Sequence, residues 1–233
     1  MDTETLPLVD GNPRLGACVG GVGKLVCIGL NYTDHAAEVG KAAPSEPVIF
    51  QKATTSICGP HDPIEIPRGA EQTDWEIELG VVIGTRAKYV TEADALDHVA
   101  GYLTINDISE RHYQSEREGQ WTKGKSHDSF APLGPWLVTA DEVADPLDLR
   151  LWCEVDGVMR QDGSTRTMIF SIAYLVAYLS QFMTLEPGDV IATGTPPGVG
   201  KGIKPEPVYL QPGQRLRCAV EGLGEQDHPV IQA

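Results

Sequence analysis

Paired cysteines, positive charge and long uncharged runs are all scarce in this 233-residue chain. Its five cysteines, Cys18, Cys27, Cys58, Cys153 and Cys218, are odd in number, widely spaced and form no CxxC. That spacing argues against a zinc knuckle or a disulfide framework and fits free thiols in a reducing cytoplasm. Only 18 Lys and Arg stand against 33 Asp and Glu, a formal net charge of −15. Such a chain repels a phosphate backbone and no basic stripe offsets the repulsion, so nucleic acid is not expected as a partner. An acidic protein that handles an acidic small molecule needs a local cation, either a metal or a focused Lys/Arg pair.

Other absences narrow the field further. The opening "MDTETLPLVDG" has acids where a signal peptide has a basic region, and it lacks an apolar region, so no export is expected. One uncharged run, 167–185, is diluted by Ser171, Ser180 and Gln181 and reads as a buried core helix rather than a membrane span. Gly23–Lys24 and Gly200–Lys201 fail the phosphate-loop pattern, with Cys18 and Thr195 at the first-glycine positions and no Ser or Thr after either lysine. No GxSxG nucleophile elbow, no HExxH zinc motif and no internal repeat is present.

What remains is ordinary globular material, 41% hydrophobic and 22% charged. Residues 1–23 show no period and read as an irregular lead-in, followed by a single domain over 24–233. Strands are expected at 24–32, 47–52, 62–67, 75–83, 99–107, 135–138, 149–155, 158–160, 190–193 and, as the last, 215–220. The pair around Asp156–Gly157 carries a hairpin signal. Helices are expected at 33–40, about 91–97, within 108–121 and over about 167–183. Many short strands that do not alternate with helices imply a β-rich α+β fold.

The strand "DWEIELGVVIG" poses a problem, because its period of 2 puts Glu76 and Glu78 on one face of an otherwise apolar element. Crowded carboxylates share a proton, face water or hold a cation. A third acid, Asp107, ends the apolar run "VAGYLTIND", and three oxygen donors from two adjacent strands suit a hard ion such as Mg²⁺, with Mn²⁺ as a substitute. In "NYTDHAAE", His35 and Glu38 stand three apart, so one helical turn brings the carboxylate to the imidazole. "WTKGKSHD" supplies Lys123 and Lys125 in a lysine-poor chain, and "TGTPPGVG" is a loop whose glycines allow close backbone approach.

Together, "GLNYTDHAAE", "FQKATTSI", "DWEIELGVVIG", "NDISERHYQ", "QWTKGKSHDSFAPLGP" and "LEPGDVIATGTPPGVG" resemble, in this order, the fumarylacetoacetate hydrolase family from about residue 24 to the C-terminus. The resemblance implies the mixed β-roll of that family's C-terminal catalytic domain, usually paired as a homodimer. Many relatives carry a small N-terminal domain where this chain has a short lead-in. By the same resemblance Glu76, Glu78 and Asp107 would bind Mg²⁺ or Mn²⁺, His35 and Glu38 would form an acid-base dyad, and Lys125 would stand over the substrate's oxygens. Lys52, Arg111, Gln114 and Thr195 would line the substrate site, and the dyad segment with "KAAPSEP" would close as a lid.

The substrate implied is a small 2-oxo acid. The expected reaction is hydrolysis of the C3–C4 bond of a 2,4-dioxo acid, an acylpyruvate or a 2,4-dioxo-3-deoxy sugar acid, with release of pyruvate. Decarboxylation of oxaloacetate, isomerisation or hydration of an unsaturated 2-oxo acid and a ureidoglycolate lyase activity are alternatives on the same site. A noncatalytic binding protein would be expected to have lost the dyad or Lys125, and both are present.

Overall fold

In the computed structural model, which describes residue 7 and residues 9–233, the alternating strand Ile77–Ile83 is buried at every position. Two covers cause this. The strand lies inside a six-stranded mixed sheet ordered Val138–Thr139, Val99–Asn106, Ile77–Ile83, Val190–Ala192, Leu25–Gly29 and Val48–Lys52. Its odd residues, Ile77, Leu79, Val81 and Ile83, share a core with Leu151, Cys153, Leu216 and Cys218 of a second sheet. That sheet is ordered Val158–Ser164, Arg150–Val155, Arg215–Val220, Glu225–Gln232 and Ile64–Ile66. On the opposite face Val82 packs with Leu25, Cys27, Leu103 and Val190, and Ala17, Cys18, Val19 and Val22 of the lead-in lie over them. The rest of the expected lead-in, residues 1–6 and 8, lies outside the described residues.

Register places the acids. Ile77 pairs with Asn106 and Glu78 with Ile105 in the antiparallel ladder. The end of Val99–Asn106 therefore meets the start of Ile77–Ile83, and the Asp107 N–H donates to the Glu76 carbonyl at 2.8 Å. The side-chain period sets Glu78 on the face of Val82, away from the second sheet.

The β-rich α+β class expected from the sequence is observed, and the hairpin forms at Asp156–Gly157 with φ of 51° and 75°, as its turn type requires. Several elements differ. The helix expected at 167–183 is confined to Ile172–Leu179, because the preceding segment bonds elsewhere. Met168 bridges to Tyr32, and Asn31 accepts the N–H groups of Ile169 and Phe170. Ser171 then caps the helix by accepting from the Tyr174 N–H at 3.1 Å. The polar helix near 91–97 reduces to the 3₁₀ turn Ala95–His98, and 108–121 holds the helix Arg111–Ser115. A final strand, Glu225–Gln232, follows the one expected to be last; its charges and Pro229 hide it. No helix among the described residues is long and apolar enough to cross a membrane.

Candidate active site

Three carboxylates converge where the two central strands meet. Glu76 precedes Ile77–Ile83, Glu78 lies within it and Asp107 follows Val99–Asn106. One oxygen from each lies within 4.8 Å of the others, and all three residues are buried, Asp107 completely. Buried charge is tolerated only when paired or bound to a cation, and most of it here is paired. Lys125 Nζ donates to Glu76 Oε2 at 2.6 Å and to Asp107 Oδ2 at 2.5 Å. Lys52 Nζ donates to the other Asp107 oxygen and to the Ile108 carbonyl. Arg111 pairs with Asp74 and, through NH1, with Glu76 Oε1 at 2.7 Å.

Glu78 is the exception. Its carboxylate accepts one backbone N–H, from Gly194 at 2.8 Å, and among the described residues it has no ion-pair partner. Four buried carboxylates, counting Asp74, face three buried cations, so one carboxylate has no matching cation. The titration directions follow. Burial raises Glu76, but Arg111 and Lys125 outweigh it and hold the group well below the usual carboxylate range. Burial together with the charges of Asp107 and Glu76 drives Glu78 well above it. For Lys125 the lowering effect of burial is overcome by Asp107 and Glu76, and its pKa rises. Three hard oxygen donors and one carboxylate without a matching cation fit a divalent cation of the oxygen-preferring kind, which would leave the cluster net positive.

Glu76 and Glu78 open into a cavity of about 220 Å³. Glu76, Glu78, Lys125, Arg111, Gln114, Thr195 and His35 all line it. Asp107 and Lys52 stand behind this wall, where Lys52 holds the acid rather than facing the cavity. His35 arrives because Leu30 takes a left-handed φ of 55°, turning the chain out of Leu25–Gly29 into the short helix Thr33–Glu38. Its Nδ1 lies 2.9 Å from Glu38 Oε2, and the other Glu38 oxygen accepts the Gly198 N–H at 2.8 Å. Lys123 points elsewhere, to the Arg117 carbonyl.

Sequence reading passed over several residues of this site. Asp74, fully buried, holds Arg111 and also accepts the N–H groups of Gly200 and Lys201. Gln161 reaches over from the second sheet, donating to Thr195 Oγ1 and the Pro196 carbonyl and accepting the Ile77 N–H. Lys41 and Lys201 also line the cavity, beside an apolar wall that includes Phe50 and Trp121. Asp74 sits inside the acid-rich motif and was legible there; nothing local marks Gln161.

The chain and its fold are similar to known proteins. The family model described as fumarylacetoacetate (FAA) hydrolase C-terminal matches residues 24–231. A Burkholderia multivorans protein, provisionally named a hydrolase, is 66% identical over 226 residues, covering 97% of this chain and 80% of its own. The solved fumarylacetoacetate hydrolase of psychrophilic Exiguobacterium antarcticum superimposes with a TM-score of 0.90 at 42% identity, over 100% of this chain and 83% of that one. The 2-hydroxyhepta-2,4-diene-1,7-dioate isomerase of Mycobacterium marinum does so with a TM-score of 0.81 at 41% identity, over 93% and 77% of the two chains.

Proposed function

The chain belongs to the fumarylacetoacetate hydrolase family, and from that premise we propose a Mg²⁺- or Mn²⁺-dependent enzyme that hydrolyses the C3–C4 bond of a 2,4-dioxo acid and releases pyruvate. Glu76, Glu78 and Asp107 are the residues that would hold the ion. The observation that carries this reading is the buried carboxylate of Glu78, without a matching cation, in the same cavity as His35, whose Nδ1 is held by Glu38. Bound there, the ion would supply Lewis-acid polarisation of the substrate's 1-carboxylate and 2-oxo oxygens.

The chain's own residues do the rest. With Nδ1 held by Glu38, His35 has Nε2 free to take a proton from water, and the water oxygen attacks C4. Glu38 steadies the charged imidazole, and the Gly198 N–H steadies Glu38. As the C3–C4 bond breaks, its electron pair leaves with the pyruvate fragment, and the Lys125 ammonium offers positive charge where this negative charge develops.

Glycine at 202 protects the dyad. A Cβ there would sit 2.8 Å from the Glu38 Cδ and 2.9 and 3.1 Å from its oxygens. The side-chain end is free to swing, so Gly202→Ala is expected to fold normally while displacing the carboxylate from His35. Turnover should fall about tenfold with metal affinity unchanged; unaltered turnover would mean that Glu38 does not act through His35.

A second reading, isomerisation of an unsaturated 2-oxo diacid, is favoured by the dioate isomerase among the similar structures. It uses the same ion and acid-base pair without an attacking water. One assay separates the two. Pyruvate release is measured from acylpyruvates and oxaloacetate with Mg²⁺ and with a chelator, beside the absorbance change of a diene dioate. Metal-dependent pyruvate release from an acylpyruvate is expected; a diene absorbance change with no pyruvate from any substrate would select the isomerase.

A further inference from the structure

One buried carboxylate enters the charge balance of the site but has no part in the chemistry above. Asp74 is fully buried two residues before Glu76, and both of its oxygens are occupied. Oδ1 accepts the N–H groups of Trp75 at 2.8 Å and Gly200 at 2.7 Å. Oδ2 accepts the Lys201 N–H at 3.0 Å and the Arg111 guanidinium, Nε at 2.8 Å and NH2 at 2.7 Å. Gly200 and Lys201 lie 126 and 127 positions further along the chain, in the 3₁₀ turn Gly200–Gly202.

That loop is the seat of Glu38. The Gly198 N–H binds one Glu38 oxygen, and the bare Cα of Gly202 leaves room for the carboxylate. Gly200 is bare on the side of Asp74, where a Cβ would sit 2.7 Å from Oδ1. Trp75 holds the start of the same loop, its indole Nε1 donating to the Gly198 carbonyl at 3.1 Å. Three consecutive residues thus divide the work: Asp74 and Trp75 grip the loop that seats Glu38, and Glu76 faces the cavity beside Glu78. Arg111 closes the frame by bridging Asp74 Oδ2 to Glu76 Oε1. A carboxylate that accepts charged and backbone donors together is hard to displace, because any shift weakens several charge-assisted bonds at once.

We propose that Asp74 is a positioning residue. Through the loop 198–202 it holds Glu38 against His35 Nδ1, and so fixes the tautomer of the imidazole and its place relative to the acids of the sheet. This rests on the acid-base role given to His35 and Glu38 in the preceding section. It applies equally to a hydrolase and to an isomerase.

Two readouts test it, and the first needs neither metal nor substrate. Two-bond ¹H–¹⁵N spectra of the metal-free protein report which nitrogen of the His35 ring carries the proton. Wild type is expected to hold it on Nδ1, and Asp74→Asn should move it to Nε2 in at least about half of the molecules, as Glu38→Ala does. The second is a double-substitution cycle on turnover of whichever substrate the assay above selects. Asp74→Asn and Trp75→Phe should each lower kcat about tenfold in the presence of Glu38, and less than about twofold once Glu38→Ala is in place. General loosening of the fold would cost the same in both backgrounds. Trp75→Phe keeps a ring in the core and deletes the indole N–H, so it carries both readouts if Asp74→Asn does not fold. An Nδ1 proton that persists in the variants, or equal losses with and without Glu38, would overturn the assignment and leave the acid-base pair standing. If Glu38→Ala itself turns over as wild type does, the acid-base reading fails and the positioning role fails with it.

Discussion

Glu78→Gln is expected to abolish metal binding and to lower turnover about 10³-fold, roughly 4 kcal/mol of transition-state stabilisation, while making the metal-free protein melt at a higher temperature. The two signs have one cause. Glu78 is 1% exposed, accepts a single backbone N–H and faces two other carboxylates without a cation of its own. Ionising it, or holding it protonated at neutral pH, is therefore costly to the empty fold, and its charge is useful only when a dication is present. Glutamine keeps the shape and the hydrogen bond from Gly194 but removes the charge. Thermal melts of both proteins with Mg²⁺ and with a chelator check this directly. Wild type should gain stability on adding Mg²⁺ and the variant should not. A variant that still responds to Mg²⁺ as wild type does would place the ion elsewhere.

Substituting the imidazole should separate chemistry from metal binding. His35→Ala is expected to cut turnover by about 10²–10⁴-fold and to leave Mg²⁺ affinity unchanged, because the His35 side chain bonds to Glu38 and to none of the three acids. His35 comes from the short helix Thr33–Glu38, whereas the proposed donors to the ion come from the central sheet. Single-turnover kinetics together with calorimetric Mg²⁺ titration provide both readouts. Loss of affinity in step with turnover would make His35 a ligand, and full turnover would remove it from the proton transfer.

Much of this arrangement was legible along the chain because it depends on short-range periods. Alternation predicted that Glu76 and Glu78 share a face, and an apolar run ending in Asp107 predicted an acid emerging from a second strand. The three-residue spacing of His35 and Glu38 needed only one helical turn, and that turn is present. Where the reading failed, long-range partners had taken over the backbone. Residues 168–170 are apolar enough for a helix, yet Asn31 and Tyr32, more than 130 positions earlier, claim their hydrogen bonds. The strand Glu225–Gln232 carries Pro229 and an alternation interrupted by charge, and it pairs because the neighbouring strands need partners for their N–H and C=O groups.

Sequence alone determined the residue types and local spacings: three acids on two strands, a His–Glu turn, a lysine-poor acidic chain and the strand-rich class. Tertiary structure alone decided which charges cancel. Whether a carboxylate is matched depends on cations brought from distant segments, Lys52, Arg111 and Lys125 onto Glu76, Asp107 and Asp74, and this leaves Glu78 without one. Coulomb energy in a buried site depends on distance and desolvation, not on sequence separation, so the carboxylate without a matching cation exists only once the chain is folded.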